Sequence, residues 1–73
     1  MNYCYLLENG RGVFVPDVMI PREDLHRYTP VPLRGYAYTM ACVNNETGEI
    51  DGWCIPEDFG FYTVREWMEA QED

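Results

Sequence analysis

The stretch TGEIDGWCIPED, residues 47 to 58, holds four carboxylates and no base, and its spacing raises the question of a metal ion. Counted from Thr47, residues Glu49, Asp51, Gly52 and Asp58 fall on positions 3, 5, 6 and 12 of an EF-hand calcium loop. That loop also needs a carboxylate at its first position, an apolar residue at its eighth, a bidentate glutamate at its last and a helix on each side. Here those positions hold Thr47, Cys54 and the shorter Asp58, and Pro56 interrupts the end. The apolar Ile50, Trp53 and Ile55 suit a strand through the middle of the supposed loop. No calcium site is expected.

Zinc would draw on Cys4, Cys42, Cys54 and the only histidine, His26. None of these forms the close pair that builds a zinc knuckle. An odd cysteine count also does not suit a disulfide framework, so the three are read as reduced, small apolar residues. The chain has no serine and no lysine, which removes serine nucleophiles, Schiff-base lysines and the phosphate-binding loop. A carboxylate pair such as Glu49 and Asp51 needs a cleft around a substrate, which a chain of 73 residues rarely encloses. The expectation is a protein that is not an enzyme and has neither metal nor cofactor.

Thirteen acids against five bases give a net charge of −8. Such a chain repels nucleic acid and anionic lipid, and a partner selected by charge must be basic. All five bases are arginine. The length allows one domain, 1–73, and the apolar and aromatic content argues for folding. No window is long and apolar enough to span a bilayer, and the N-terminus lacks a basic leader, so a cytoplasmic location is expected.

The elements that must position these residues follow from turn and breaker signals. YCYLL and GVFV flank Glu8-Asn9-Gly10-Arg11, where Asn-Gly predicts a two-residue hairpin turn pairing Leu6 with Val13 and Tyr5 with Phe14. Glu8 would then face Arg11. Pro21 and the acids Glu23 and Asp24 predict a short helix over 21–28, with Leu25 and Tyr28 inward and Glu23 paired to Arg27. TPVPL is extended, because Pro30 and Pro32 cannot continue a helix. A long strand over 34–43 turns at NNETG into a paired strand from Glu49. A three-residue loop would set Ala41 opposite Trp53, Val43 opposite Asp51 and Asn45 opposite Glu49. One face then buries Tyr36, Tyr38, Met40, Cys42, Ile50 and Cys54. Thr63 and Glu66 form a capping box for a last helix with Val64, Trp67, Met68 and Gln71 on one face and Glu66, Glu69, Glu72 and Asp73 largely outward. The predicted fold is a small α+β domain, ββαββα, in which an antiparallel sheet of two hairpins packs with two short helices.

What remains for function is contact. Eleven aromatics exceed what so small a core can hold, and tyrosine, tryptophan and arginine anchor protein interfaces. Acids at the end of the last helix oppose its dipole, by about 0.3 to 1 kcal/mol each when ordered. Their presence against that preference fits either a frayed, solubilising tail or selection for a basic partner, and the same sign repeated at the second hairpin favours the partner. The residues expected to meet it are Glu46, Glu49, Asp51, Trp53, Glu57, Asp58, Glu66 and Glu69.

A very short, acidic, aromatic-rich chain of this kind resembles the small inhibitors encoded by phages and mobile elements, such as anti-CRISPR proteins and other nucleic-acid mimics. The resemblance rests on length, charge and the stretches GEIDGWCIPED and REWMEAQED. It implies stoichiometric binding to a basic, nucleic-acid-handling host defence complex, in the host cytoplasm and without turnover. No direct nucleic-acid, membrane or small-molecule partner is expected. The alternative is a regulatory or assembly module, antitoxin-like or an accessory subunit, that binds one cellular protein.

Overall fold

The computed structural model describes residues 2–72. It contains five strands, β1 (Asn2–Leu6), β2 (Gly12–Pro16), β3 (Tyr28–Pro32), β4 (Met40–Asn44) and β5 (Ile50–Cys54), and one α-helix, α1 (Val64–Gln71). Two 3₁₀ segments, Arg22–Arg27 and Pro56–Phe59, complete the elements. The architecture is broadly α+β, with an antiparallel hairpin β1-β2 and a three-stranded antiparallel sheet ordered β3-β4-β5. The predicted ββαββα order is therefore corrected. The expected first helix is a 3₁₀ segment, and the extended TPVPL stretch contributes most of a strand.

The first hairpin is slipped by one residue from its predicted register: Tyr5 pairs with Val13, Cys4 with Phe14 and Leu6 with Gly12. The cause lies in the turn. Leu7 N–H donates to the Arg11 carbonyl at 2.9 Å, which leaves Glu8, Asn9 and Gly10 as a three-residue loop. Gly10 takes φ 87°, open to glycine at no steric cost, and Asn9 Oδ1 accepts from Arg11 N–H. Glu8 thus sits in the loop instead of facing Arg11. The slip exchanges which side chains of β2 share a face with Tyr3 and Tyr5. Val13 and Val15 become buried, while Phe14 stands 69% exposed on the outer face beside Leu6.

β4 is the centre of the molecule: Met40, Ala41 and Cys42 are fully buried. Alternation sends them to opposite faces of the sheet. On one face Met40, Cys42 and Cys54 pack with Ile20, Leu25 and Val64, covered by Tyr28, Phe59 and Trp67. On the other, Ala41 packs with Val13, Val15 and Leu33, with Tyr5, Leu7, Ile50 and Trp53 around them. The hairpin and the helical segments thus cover opposite faces of one sheet.

Both sheet edges are managed. β3 is an edge strand, and its prolines at 30 and 32, two residues apart, turn their missing N–H to the same side, which can be the open edge. The other edge is covered by residues 18–20: Ile20 N–H donates to the Trp53 carbonyl and Trp53 N–H to the Val18 carbonyl, both at 2.9 Å.

The predicted strand over 34–43 begins only at Met40. Residues 34–39 form an irregular loop, with Tyr36 N–H donating to the Leu33 carbonyl at 3.1 Å. Tyr36 and Tyr38 are accordingly exposed, 49% and 55%, and do not join the core. In the second hairpin Ala41 does pair with Trp53, and Cys42 with Gly52, but Val43 then pairs with Ile50. Asp51 is the extra residue of a β-bulge, which replaces the expected Val43–Asp51 and Asn45–Glu49 pairs. Ile50 is half-buried on the face opposite to the predicted one. Leu25 is buried as expected, and Tyr28 packs on the same cluster from the first position of β3. The expected Glu23–Arg27 pair is not among the ion pairs of the described residues.

α1 follows the prediction closely. Thr63 Oγ1 accepts from Glu66 N–H at 3.2 Å, and Val64 is buried with Trp67 packed on the same core. The Glu66 carboxylate reaches back to Tyr62 N–H at 3.0 Å. Met68 is exposed instead of inward, and Asp73 lies outside the described residues. Among the described residues, no helix is long and apolar enough to cross a membrane.

Candidate binding surface

The eight residues expected to meet a partner fall into two groups once their neighbours are known. Five have local structural work. Asp51 is half-buried at the bulge, where its Oδ2 accepts from Tyr28 Oη at 3.1 Å and Asn44 Nδ2 at 2.9 Å. Asn44 in turn uses its Oδ1 to accept from Glu46 N–H and Thr47 N–H, which shapes the tip of the second hairpin. Asp58 is half-buried and lies 3.8 Å from Arg22 Nε. Glu66 caps α1, and Glu69 Oε1 meets Arg65 Nε at 3.2 Å one helical turn away. Trp53 is half-buried against Val13, Val15, Leu33 and Ala41.

Glu46, Glu49 and Glu57 remain as exposed carboxylates outside the ion pairs of the described residues. They do not form one line. Glu46 borders a cleft shared with His26 and Arg27, and Glu49 borders another that Arg11 also lines. Glu57 lies in the second 3₁₀ segment, where its carbonyl accepts from Arg22 Nη2 at 3.4 Å. The acids are thus spread over the surface and interleaved with arginines.

The aromatic side of the expectation gains Tyr36 and Tyr38, which were expected in the core and are exposed. Tyr5 and Tyr36 meet edge to face with ring centroids 4.9 Å apart, and Tyr3 lies 6.5 Å from Tyr5. Tyr38 and Tyr62 form a second edge-to-face pair at 5.9 Å. Tyr3, Tyr36, Tyr38 and Tyr62 are all substantially exposed. The signal that could have found Tyr36 and Tyr38 is Gly35 after two prolines, which marks a turn and postpones the strand.

Burial raises the Tyr5 phenol above its ordinary pKa, and the neighbouring Tyr36, Tyr3 and Asp17 raise it further. The Tyr28 phenol is also raised, first by desolvation and then by its hydrogen bond to Asp51 and the charge of that group. Cys42 and Cys54 meet in the core, where a hydrogen bond to Cys42 and then burial hold the Cys54 thiol far above the ordinary range. Cys4 is exposed on the outer face of the first hairpin. Among the described residues, no three His, Cys, Asp or Glu side chains group so as to hold a metal ion.

No known family model matches the chain, and no curated protein or solved structure is significantly similar to it.

Proposed function

We propose that the protein works by binding, without turnover, to a basic nucleic-acid-handling protein, as an inhibitor of the anti-CRISPR or nucleic-acid-mimic kind. The observation that carries this reading is the combination of a −8 charge with exposed tyrosines at 3, 36, 38 and 62. The charge steers approach to a basic surface, and tyrosines supply contact area at small entropic cost. Of the acids expected to meet the partner, Glu46, Glu49 and Glu57 are free to act in that steering, while Asp51, Asp58 and Glu66 are committed to the fold.

The test is competition. The chain is expected to displace nucleic acid from its partner at equal stoichiometry, in a salt-sensitive manner. A variant with Glu46, Glu49 and Glu57 changed to lysine should associate at least about tenfold more slowly, with its circular dichroism unchanged. Equal inhibition by that variant, or binding that leaves nucleic acid in place, would overturn the mimic reading.

The uncharged outer face of the first hairpin, with Leu6 and Phe14 exposed, favours a second reading as a regulatory or assembly module. Binding abolished by Phe14→Asp but insensitive to the three reversals would select it.

A further inference from the structure

We infer that a cavity of about 210 Å³ between the first hairpin and β5 receives the guanidinium group of a partner's arginine. The inference names the chemistry of the basic partner proposed above and rests on that reading for the partner's existence.

The cavity is assembled by the register of the first hairpin. Tyr3 and Tyr5, two residues apart on β1, point to one side of the ribbon, and Tyr3 pairs with Val15. Val15 is 1% exposed and lies in the wall of the cavity. Trp53 enters from β5, Thr39 from the end of the 34–39 loop, and Asp17 follows Pro16 where β2 stops. A one-residue slip would put Phe14 in place of Val13 and Val15 on the face of the two tyrosines and take Val15 out of the wall.

Its chemistry points one way. Three aromatic rings, whose π faces attract cations, line it, and the only formal charge in the lining is the Asp17 carboxylate. Asp17 is exposed and stands outside both ion pairs formed among the described residues. It is close enough to the aromatic wall to be among the causes that raise the Tyr5 phenol. An anion finds no cationic group there. The volume is smaller than the roughly 300 Å³ at which pockets begin to hold whole small molecules, but it suits one side-chain head group. Between the two basic side chains, arginine fits better. Its flat guanidinium stacks on a ring while its N–H fork engages a carboxylate, whereas a lysine ammonium remains strongly hydrated.

Trp53 lies in the wall and can report binding. With Trp67→Phe leaving it the lone tryptophan, its emission is to be followed during titration with a blocked Gly-Arg-Gly peptide, its lysine analogue and its neutral citrulline analogue. If Trp67→Phe does not fold, the Trp53 indole N–H resonance of the unaltered chain serves the same purpose. A saturable response to arginine is expected, several-fold weaker with lysine and absent with citrulline. Asp17→Asn and Tyr3→Ala, both at exposed positions, should each weaken arginine binding by roughly five- to tenfold while leaving the melting temperature in place. No saturation, equal binding of citrulline, or an unaffected Asp17→Asn variant overturns the inference. Because the peptides need no partner, the two readings fail separately. Loss of the peptide signal with nucleic-acid competition intact removes the cavity only, and the reverse outcome removes the inhibitor reading only.

Discussion

Gly52 shows how one backbone position can decide an edge. A Cβ there would fall inside van der Waals contact of the Val18 carbonyl oxygen and crowd Ile20 Cδ1. That carbonyl accepts from Trp53 N–H, so Gly52→Ala must push residues 18–20 off β5. A loss of about 2 to 3 kcal/mol in chemical denaturation is expected, and a change below about 0.5 kcal/mol would show that the segment is not held there. Sequence alone could mark Gly52 as part of a loop motif, yet the partner that requires it lies 34 residues earlier. Asp51 was hidden for a similar reason, since a bulge is invisible until the strands are paired. Its bond to Tyr28 gives a pH signature. The folded phenol titrates above its unfolded value of about 10, so the protonated form favours folding. That contribution is intact below about pH 10 and is lost as pH rises through the folded pKa. Asp51→Asn should lower the Tyr28 midpoint in a spectroscopic phenol titration without returning it to the model-peptide value, because desolvation, the larger cause, remains. An unchanged midpoint would remove Asp51 from the account. Cys42 and Cys54 were legible as packing residues, whereas Cys4, read the same way, is exposed on the outer face of the first hairpin. At neutral pH a thiol reagent should modify exposed Cys4 quickly and reach Cys42 and Cys54 only on unfolding, and rapid modification of all three would contradict that burial.

At the scale of elements, what could be read in advance was whatever is decided locally. The start of α1 follows from Thr63 and Glu66, a signal contained in four residues, and the structure uses it. Thr63→Ala removes the side-chain acceptor and should cost about 1 kcal/mol, seen as a lower denaturant midpoint, whereas Thr63→Asn should retain most of it. If alanine and asparagine behave alike, the cap is not what starts the helix. Elements whose form depends on distant partners were read less well. TPVPL reads as merely extended because two prolines argue against a strand, and only its position at the edge makes pairing possible. The first hairpin was legible as a hairpin, but its register turned on whether Glu8–Gly10 or only Asn9–Gly10 forms the loop. That single residue decides whether Val13 and Val15 or Phe14 share the face of Tyr3 and Tyr5, and with it whether Val15 can wall the cavity beside Trp53.

For the whole molecule the governing quantity is charge, and it sets stability and association against each other. The molecule measures 30 × 28 × 20 Å. At 10 mM salt the screening length is about 30 Å, so nearly every charge senses every other, and at 150 mM it falls to about 8 Å. With −8 on the chain and two ion pairs among the described residues, the long-range sum is repulsive in the folded state. Arg65–Glu69 is largely exposed and therefore contributes little against it. Raising salt from 10 to 150 mM is expected to raise the melting temperature, because screening removes distant repulsions before it weakens contacts of 3 to 4 Å. A lower melting temperature on adding salt would mean that the arginines interleaved with Glu46, Glu49 and Glu57 already balance the surface. Association with a basic partner has the opposite salt response, since screening removes the steering field. A protein selected only for stability would trim the excess acid, whereas one selected for rapid capture of a basic surface would keep it despite the strain. Measured on the same preparation, a melting temperature that rises and an association rate that falls over the same salt range would give the acidity a function in binding. If both rise, or neither moves, the carboxylates serve solubility, and contact rests on the tyrosines and the cavity beside Asp17.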